Sequence, residues 1–125
     1  MIWTLSQVAL GGAIGASARY LTNVGALRFA GTGFPVATLV INIAGSCLMG
    51  VLVVLLAQKG GMRLAPFLLT GILGGFTTFS AFALDAVTLW QRGDGIQAAG
   101  YVLGSVVMSV GALLAGMIIT RGALA

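Results

Sequence analysis

The side chains able to do covalent chemistry or ligate a metal are few in this sequence: no histidine, a single cysteine, Cys47, and only two acids, Asp85 and Asp94. That set excludes a disulfide within the chain and offers no basis for zinc, haem or imidazole-base chemistry, so an enzyme is not expected. What remains is uncharged. Thr38, Asn42 and Ser46 recur at every fourth position, and so do Tyr101, Ser105 and Ser109. Each set falls on one face of a helix. Phe79, Ser80 and Phe82 form a third group, its two phenylalanines three positions apart and therefore on neighbouring parts of a face. An aromatic ring has a negative face and a positive edge, so rings turned edge-on attract an anion without carrying charge. With hydroxyl and amide donors beside them, such edges suit a small, hard, strongly hydrated anion. A lysine or arginine in the path would hold that anion too long, because conduction needs binding weak enough for release. The plainer reading is that the hydroxyls and Asn42 bond neighbouring helices and the phenylalanines face lipid or core. Two aligned polar tracks together look more like the lining of a narrow path than like independent staples.

The elements that position these residues are set by composition. Of 125 residues, 59% are hydrophobic and 6% charged, with a mean hydropathy of +1.12, far from the quarter or so of charged residues in a soluble domain. Crossing a bilayer takes about 20 mainly apolar residues. Four stretches qualify, at about residues 3–24, 35–57, 65–90 and 96–120, separated by short loops at 25–34, 58–64 and 91–95. Connections this short make successive helices antiparallel, so the expectation is an all-α membrane protein with one four-helix transmembrane domain over residues 1–125. The 20 glycines are packing residues, since membrane helices use glycine to approach closely; Gly11 and Gly15, Gly71 and Gly75, and Gly100 and Gly104 each fit G-x-x-x-G. The first apolar run continues into the body, so no signal peptide is expected. The six basic residues are scattered singly, which argues against nucleic-acid binding.

The third span is irregular. Gly71-Ile72-Leu73-Gly74-Gly75-Phe76-Thr77-Thr78 places glycines and β-branched threonines where helix propensity is poor. Either the helix breaks near its middle, in the way that builds ion sites in membranes, or it is a regular glycine-rich packing helix. Asp85, one turn beyond Phe82, and Arg19, near the end of the first span, read as structural groups close to the interface. Lys59, Arg63 and Arg121 lie on one side of the membrane, with Arg19, Arg28 and Arg92 on the other. Orientation follows lysine and arginine asymmetry, so this even balance leaves insertion both ways round open.

Gly-Gly-Ala-Ile-Gly-Ala-Ser-Ala-Arg-Tyr at 11–20, Thr-Leu-Val-Ile-Asn-Ile-Ala-Gly at 38–45 and Gly-Gly-Phe-Thr-Thr-Phe-Ser-Ala-Phe at 74–82 resemble, in order and spacing, the signatures of the Fluc (CrcB) fluoride channels. The resemblance implies a passive, fluoride-exporting channel of the bacterial inner membrane, built as an antiparallel, dual-topology homodimer with two pores and a central structural sodium ion. By position it assigns Asn42, Phe79 and Phe82 to the fluoride path, with Thr38, Ser80, Tyr101, Ser105 and Ser109 adding polar contacts. The backbone carbonyls of Gly74 and Thr77 would hold sodium, to which oxygen ligands are suited. Three positions depart from the family pattern: Ala37 stands where glycine is usual, Ala81 where threonine is usual, and Asp85 where glutamate is common. The rival is a small multidrug-type, proton-coupled antiporter, also a four-helix dual-topology dimer. It would want a membrane-embedded glutamate early in the chain, and the first span has none. A non-transporting accessory protein that docks through its glycine faces is the third reading.

Overall fold

The computed structural model describes all residues 1–125, and every regular element is helical. Helix α1 spans Ile2–Ala30 and ends where Gly31 turns left-handed at φ 74°, its N–H returning to the Leu27 carbonyl. The loop expected at 25–34 is therefore shorter. Gly25 costs a helix only about 1 kcal/mol, and Ala26, Leu27 and Arg28 are good helix formers that carry α1 past it. Arg28 then lies in the last turn, where the helix dipole favours a cation. Helix α2, Val36–Lys59, begins directly after Pro35 and is closed by left-handed Gly60; the N–H groups of Gly60 and Gly61 both return to the Leu56 carbonyl.

The third stretch is not one regular helix. A 3₁₀ turn at Met62–Leu64 leads into a π-helical segment at Pro66–Leu73 and then a single turn, α3, at Gly74–Phe76. Thr77 and Thr78 are extended, at φ −77°, ψ 155° and φ −150°, ψ 125°, before helix α4 runs over Phe79–Gln91. The break is there, and the regular packing helix is excluded. Left-handed Gly93 turns the chain, and α5 occupies Gly95–Leu124.

Three stretches, at residues 36–59, 62–91 and 95–124, are long and apolar enough to cross a membrane, which makes this a multi-pass membrane protein. The expectation was four. At 29 residues α1 has the length, but Ser6, Gln7, Ser17, Arg19, Thr22 and Asn23 dilute its apolar character.

Packing divides the third stretch between two partners. Its first half, up to α3, lies against α1, while α4 lies against α5, and α2 packs mainly on α5 and reaches both halves. Glycine makes the first contact possible, because two of the G-x-x-x-G pairs meet face to face. A Cβ on Gly71 would stand 2.8 Å from the Gly11 Cα, one on Gly75 would stand 2.8 Å from the Gly12 carbonyl oxygen, and one on Gly15 would run into the Ile72 carbonyl. Helices α2 and α5 approach in the same way, Gly50 against the Leu113 carbonyl and Gly116 against that of Cys47. The third pair, Gly100 and Gly104, meets no other helix. The buried core is small and centres on Phe82, Leu89, Ala98 and Tyr101.

Candidate functional site

Opening a helix in an apolar environment leaves backbone groups that must find other partners. Asn42, on α2, supplies two of them. Its Oδ1 accepts from the Thr78 N–H at 2.9 Å and its Nδ2 donates to the Thr78 carbonyl at 3.0 Å, so one side-chain amide pairs both sides of one residue's backbone. The Thr78 hydroxyl oxygen caps α4 by accepting from the Ala81 N–H at 3.2 Å. Thr77 Oγ1 donates back to the Leu73 carbonyl at 2.8 Å, and Arg19 Nε donates to the Gly75 carbonyl at 3.0 Å. Arg19 thus reaches across from α1 to the broken segment. The amides of Thr78 and Ala81 would, in a continuous helix, close turns onto the Gly74 and Thr77 carbonyls. Here they are turned to side chains instead.

Beside the break runs a groove of about 330 Å³. Asn42 and Ser46 of α2, Phe79 and Phe82 of α4, and Ser105 and Ser109 of α5 line it, and none of its lining residues is charged. The serine hydroxyls bear on the choice between staple and lining. Buried polar groups are almost always hydrogen-bonded, yet the oxygens of Ser105 and Ser109 are buried without a partner, and Ser105 is only 4% exposed. Neither hydroxyl is bonded to a neighbouring helix, although both serines lie in the lining of the groove. The Phe79 and Phe82 rings sit 5.4 Å apart at 59°, and Phe82 continues to Tyr101 at 5.3 Å. Phe82 is buried, but Phe79 is 78% exposed, so the groove lies open along that side.

A second cavity, of about 300 Å³, includes Phe34, Thr38, Asp85 and Arg92 in its lining; Tyr101 lines neither cavity but touches Phe82 of the groove and Phe34 and Asp85 of the second. The Phe34 ring stands perpendicular to that of Tyr101 at 5.6 Å, extending the row of aromatic rings. The Tyr101 hydroxyl donates to Asp85 Oδ2 at 3.1 Å, and Arg92 Nη2 donates to the Gly33 carbonyl at 2.8 Å at the rim. Thr38 is buried one turn before Asn42, so the two cavities follow one face of α2. Of the site residues expected from sequence, the structure gathers Asn42, Phe79, Phe82, Ser105 and Ser109 in the groove. Thr38 belongs to the second cavity, and Tyr101 stands between the two. Ser80 is exposed outside both, 3.4 Å from the Thr78 hydroxyl. Sequence reasoning missed Thr78, although threonine directly before a helical run is a capping signal. It also missed Phe34, which nothing local marks.

No group of three or more His, Cys, Asp or Glu side chains is placed to hold a metal, and the oxygens at the break belong to backbone carbonyls, threonine hydroxyls and the Asn42 amide. Residues 6–117 match the family described as CrcB-like protein, Camphor Resistance (CrcB). Among similar proteins, one named fluoride-specific ion channel FluC from Cereibacter sphaeroides is 65% identical over 122 residues, covering 98% of both chains. A protein of the same name from Paracoccus denitrificans is 61% identical over 119 residues, 95% of each chain. Another, from Mesorhizobium japonicum, is 49% identical over 121 residues, covering 96% of this chain and 98% of its own. With a family match that runs from α1 into α5, the chain belongs to the CrcB family, the Fluc family that its three motifs resemble.

Proposed function

We propose that this chain is a fluoride-selective channel that lets fluoride leave the cell passively across the bacterial inner membrane and so limits its toxicity. The observation that carries the reading is the groove: an uncharged lining in which two buried serine hydroxyls lack partners beside a pair of phenylalanine rings. The relatives named fluoride-specific ion channel FluC supply the ion's identity. The protein is a channel-family member and not an enzyme.

Fluoride entering a narrow bundle loses much of its water, and each lost contact must be replaced. Asn42 has a second amide hydrogen beyond the one given to Thr78, and Ser105 and Ser109 offer O–H groups. Phe79 and Phe82 add positive ring edges. The track then continues past Tyr101 to Thr38 and the second cavity. Because no cation lines the groove, each station binds weakly enough to release. Asp85 accepts the hydrogen bond of the Tyr101 hydroxyl and so is tied to the wall of the second cavity.

The assembly we favour is an antiparallel homodimer with dual topology, four transmembrane helices per subunit with α1 as the fourth, and two pores. Exposed Phe79 and the open groove call for a second wall, and the even three-to-three charge balance permits both orientations. A sodium ion between the subunits fits the broken segment, since the Gly74 and Thr77 carbonyls have lost their helical partners and hard oxygen donors suit a hard cation. When bound, that ion would supply fixed positive charge at the subunit boundary. The rival antiporter lacks its carboxylate in α1, and Asp85 is engaged by Tyr101.

Purified protein in liposomes loaded with potassium fluoride should release fluoride rapidly to a fluoride electrode once potassium is made permeant, with no proton gradient imposed. Release of chloride at the same rate would overturn the selectivity. Fluoride retention combined with proton-driven uptake of a cationic dye would favour the antiporter.

A further inference from the structure

The break in the third stretch is not simply a place where helix formation fails. Two side chains actively hold it open. Asn42 Oδ1 takes the Thr78 N–H and Thr78 Oγ1 takes the Ala81 N–H, at 2.9 and 3.2 Å. These are the two amides that an unbroken helix would direct to the Gly74 and Thr77 carbonyl oxygens. Nothing else about those two amides is special; what distinguishes them is which oxygens they leave unclaimed. The extended conformation of Thr77 and Thr78 follows from the same exchange, because each diverted N–H removes a rung that would pull the segment back into a helix.

Resting on the sodium reading above, we infer that Thr78 and Asn42 are positioning residues for a monovalent cation at the break, and that Asn42 serves the cation site and the anion groove with different atoms. Its carbonyl oxygen keeps Thr78 out of the helix and the Gly74 oxygen free, while its remaining amide hydrogen is the only part left for the groove. The two functions are therefore separable by chemistry at one position. Aspartate keeps an oxygen to accept the Thr78 N–H, the bond that frees the Gly74 oxygen, and loses both the bond to the Thr78 carbonyl and the hydrogen left for the groove; alanine loses all three. At Thr78, serine keeps the capping oxygen and valine removes it with little change of shape. Arg19, on the neighbouring Gly75 carbonyl, fixes the segment from the α1 side but claims neither of the two oxygens, and so is expected to affect folding more than cation choice.

The experiment measures sodium directly and does not depend on fluoride flux. Thermal unfolding of the purified protein in detergent is followed while sodium chloride replaces N-methylglucamine chloride at constant ionic strength, giving an apparent sodium affinity from the concentration dependence of the midpoint. Unmodified protein, Thr78→Ser and Asn42→Asp should share a sodium response within about twofold, whereas Thr78→Val and Asn42→Ala should need roughly fivefold or more sodium, the scale of one lost hydrogen bond. Fluoride efflux measured in parallel should fall for Asn42→Asp although its sodium response is kept. If Thr78→Val or Asn42→Ala does not fold, the aspartate and serine variants still decide: a sodium affinity lost in Thr78→Ser, or sodium and fluoride effects moving together in Asn42→Asp, overturns the inference. Equal sodium affinity in all five proteins overturns it while leaving the sodium reading intact. A midpoint indifferent to sodium in the unmodified protein removes the sodium reading itself, and the inference with it.

Discussion

Ser105 and Phe79 are the residues at which packing and conduction make opposite forecasts. Ser105 is buried with an unbonded hydroxyl, so Ser105→Ala removes no hydrogen bond and relieves an unsatisfied group; its stability should be unchanged or slightly higher. Fluoride efflux should nevertheless slow, because a replacement for lost water has gone. Parallel unfolding and efflux measurements check this, and a clear loss of stability with unaltered flux would make the serine a staple. Phe79→Ile and Phe82→Ile keep apolar bulk and remove the ring edge. Each is expected to cut efflux at least severalfold, each ~1.4 kcal/mol of added barrier slowing passage about tenfold. Met108→Leu, on an exposed stretch of α5, is the matched control and should leave flux as it is. The groove residues Asn42, Phe79, Phe82, Ser105 and Ser109 were legible in the sequence because helical spacing puts each set on one face. The use made of Asn42 was not. Its partner, Thr78, lies 36 positions away, and no local pattern joins a side-chain amide to a distant peptide group.

At the scale of the elements, glycine positions separate sharply by what stands opposite. A methyl at Gly15 would collide with the Ile72 backbone carbonyl, which cannot rotate aside, so Gly15→Ala should destabilise by about 1–3 kcal/mol. Gly122→Ala has open space and gains helix propensity, by up to about 1 kcal/mol. Reversible unfolding in mixed detergent distinguishes the two, and similar costs for both would mean that α1 does not pack on the third stretch as described. Helices α2, α4 and α5 were readable from apolar length, and the break from Gly74, Gly75, Thr77 and Thr78. Two features escaped. The run of α1 through Ala30 was hidden because Gly25 resembles a stop, and the π-helical turn at Pro66–Leu73 has an almost uniformly apolar sequence in which no periodicity can register.

For the whole molecule, the three-to-three charge balance is what the proposed dual topology rests on. Reporter fusions at the C-terminus should find that end on both sides of the membrane. Adding two lysines beside Arg121 should drive the terminus to the cytoplasmic side and abolish fluoride efflux from cells expressing that chain alone. A second chain biased the other way, with lysines added beside Arg92, should restore it. Full activity from a single forced orientation would dispose of the antiparallel pair.

The open side of the groove has a further consequence in a bilayer. A groove whose open side is flanked by an exposed phenylalanine would not stand empty among lipids: an acyl tail is about as wide as a phenyl ring and could lie along the side of Phe79. In the antiparallel pair proposed above, the second subunit would have to evict that tail before the wall could close. Lipids would then compete with that proposed association, and short or branched chains that fill the groove poorly should favour the closed pair, which would make membrane composition a control on how many pores form.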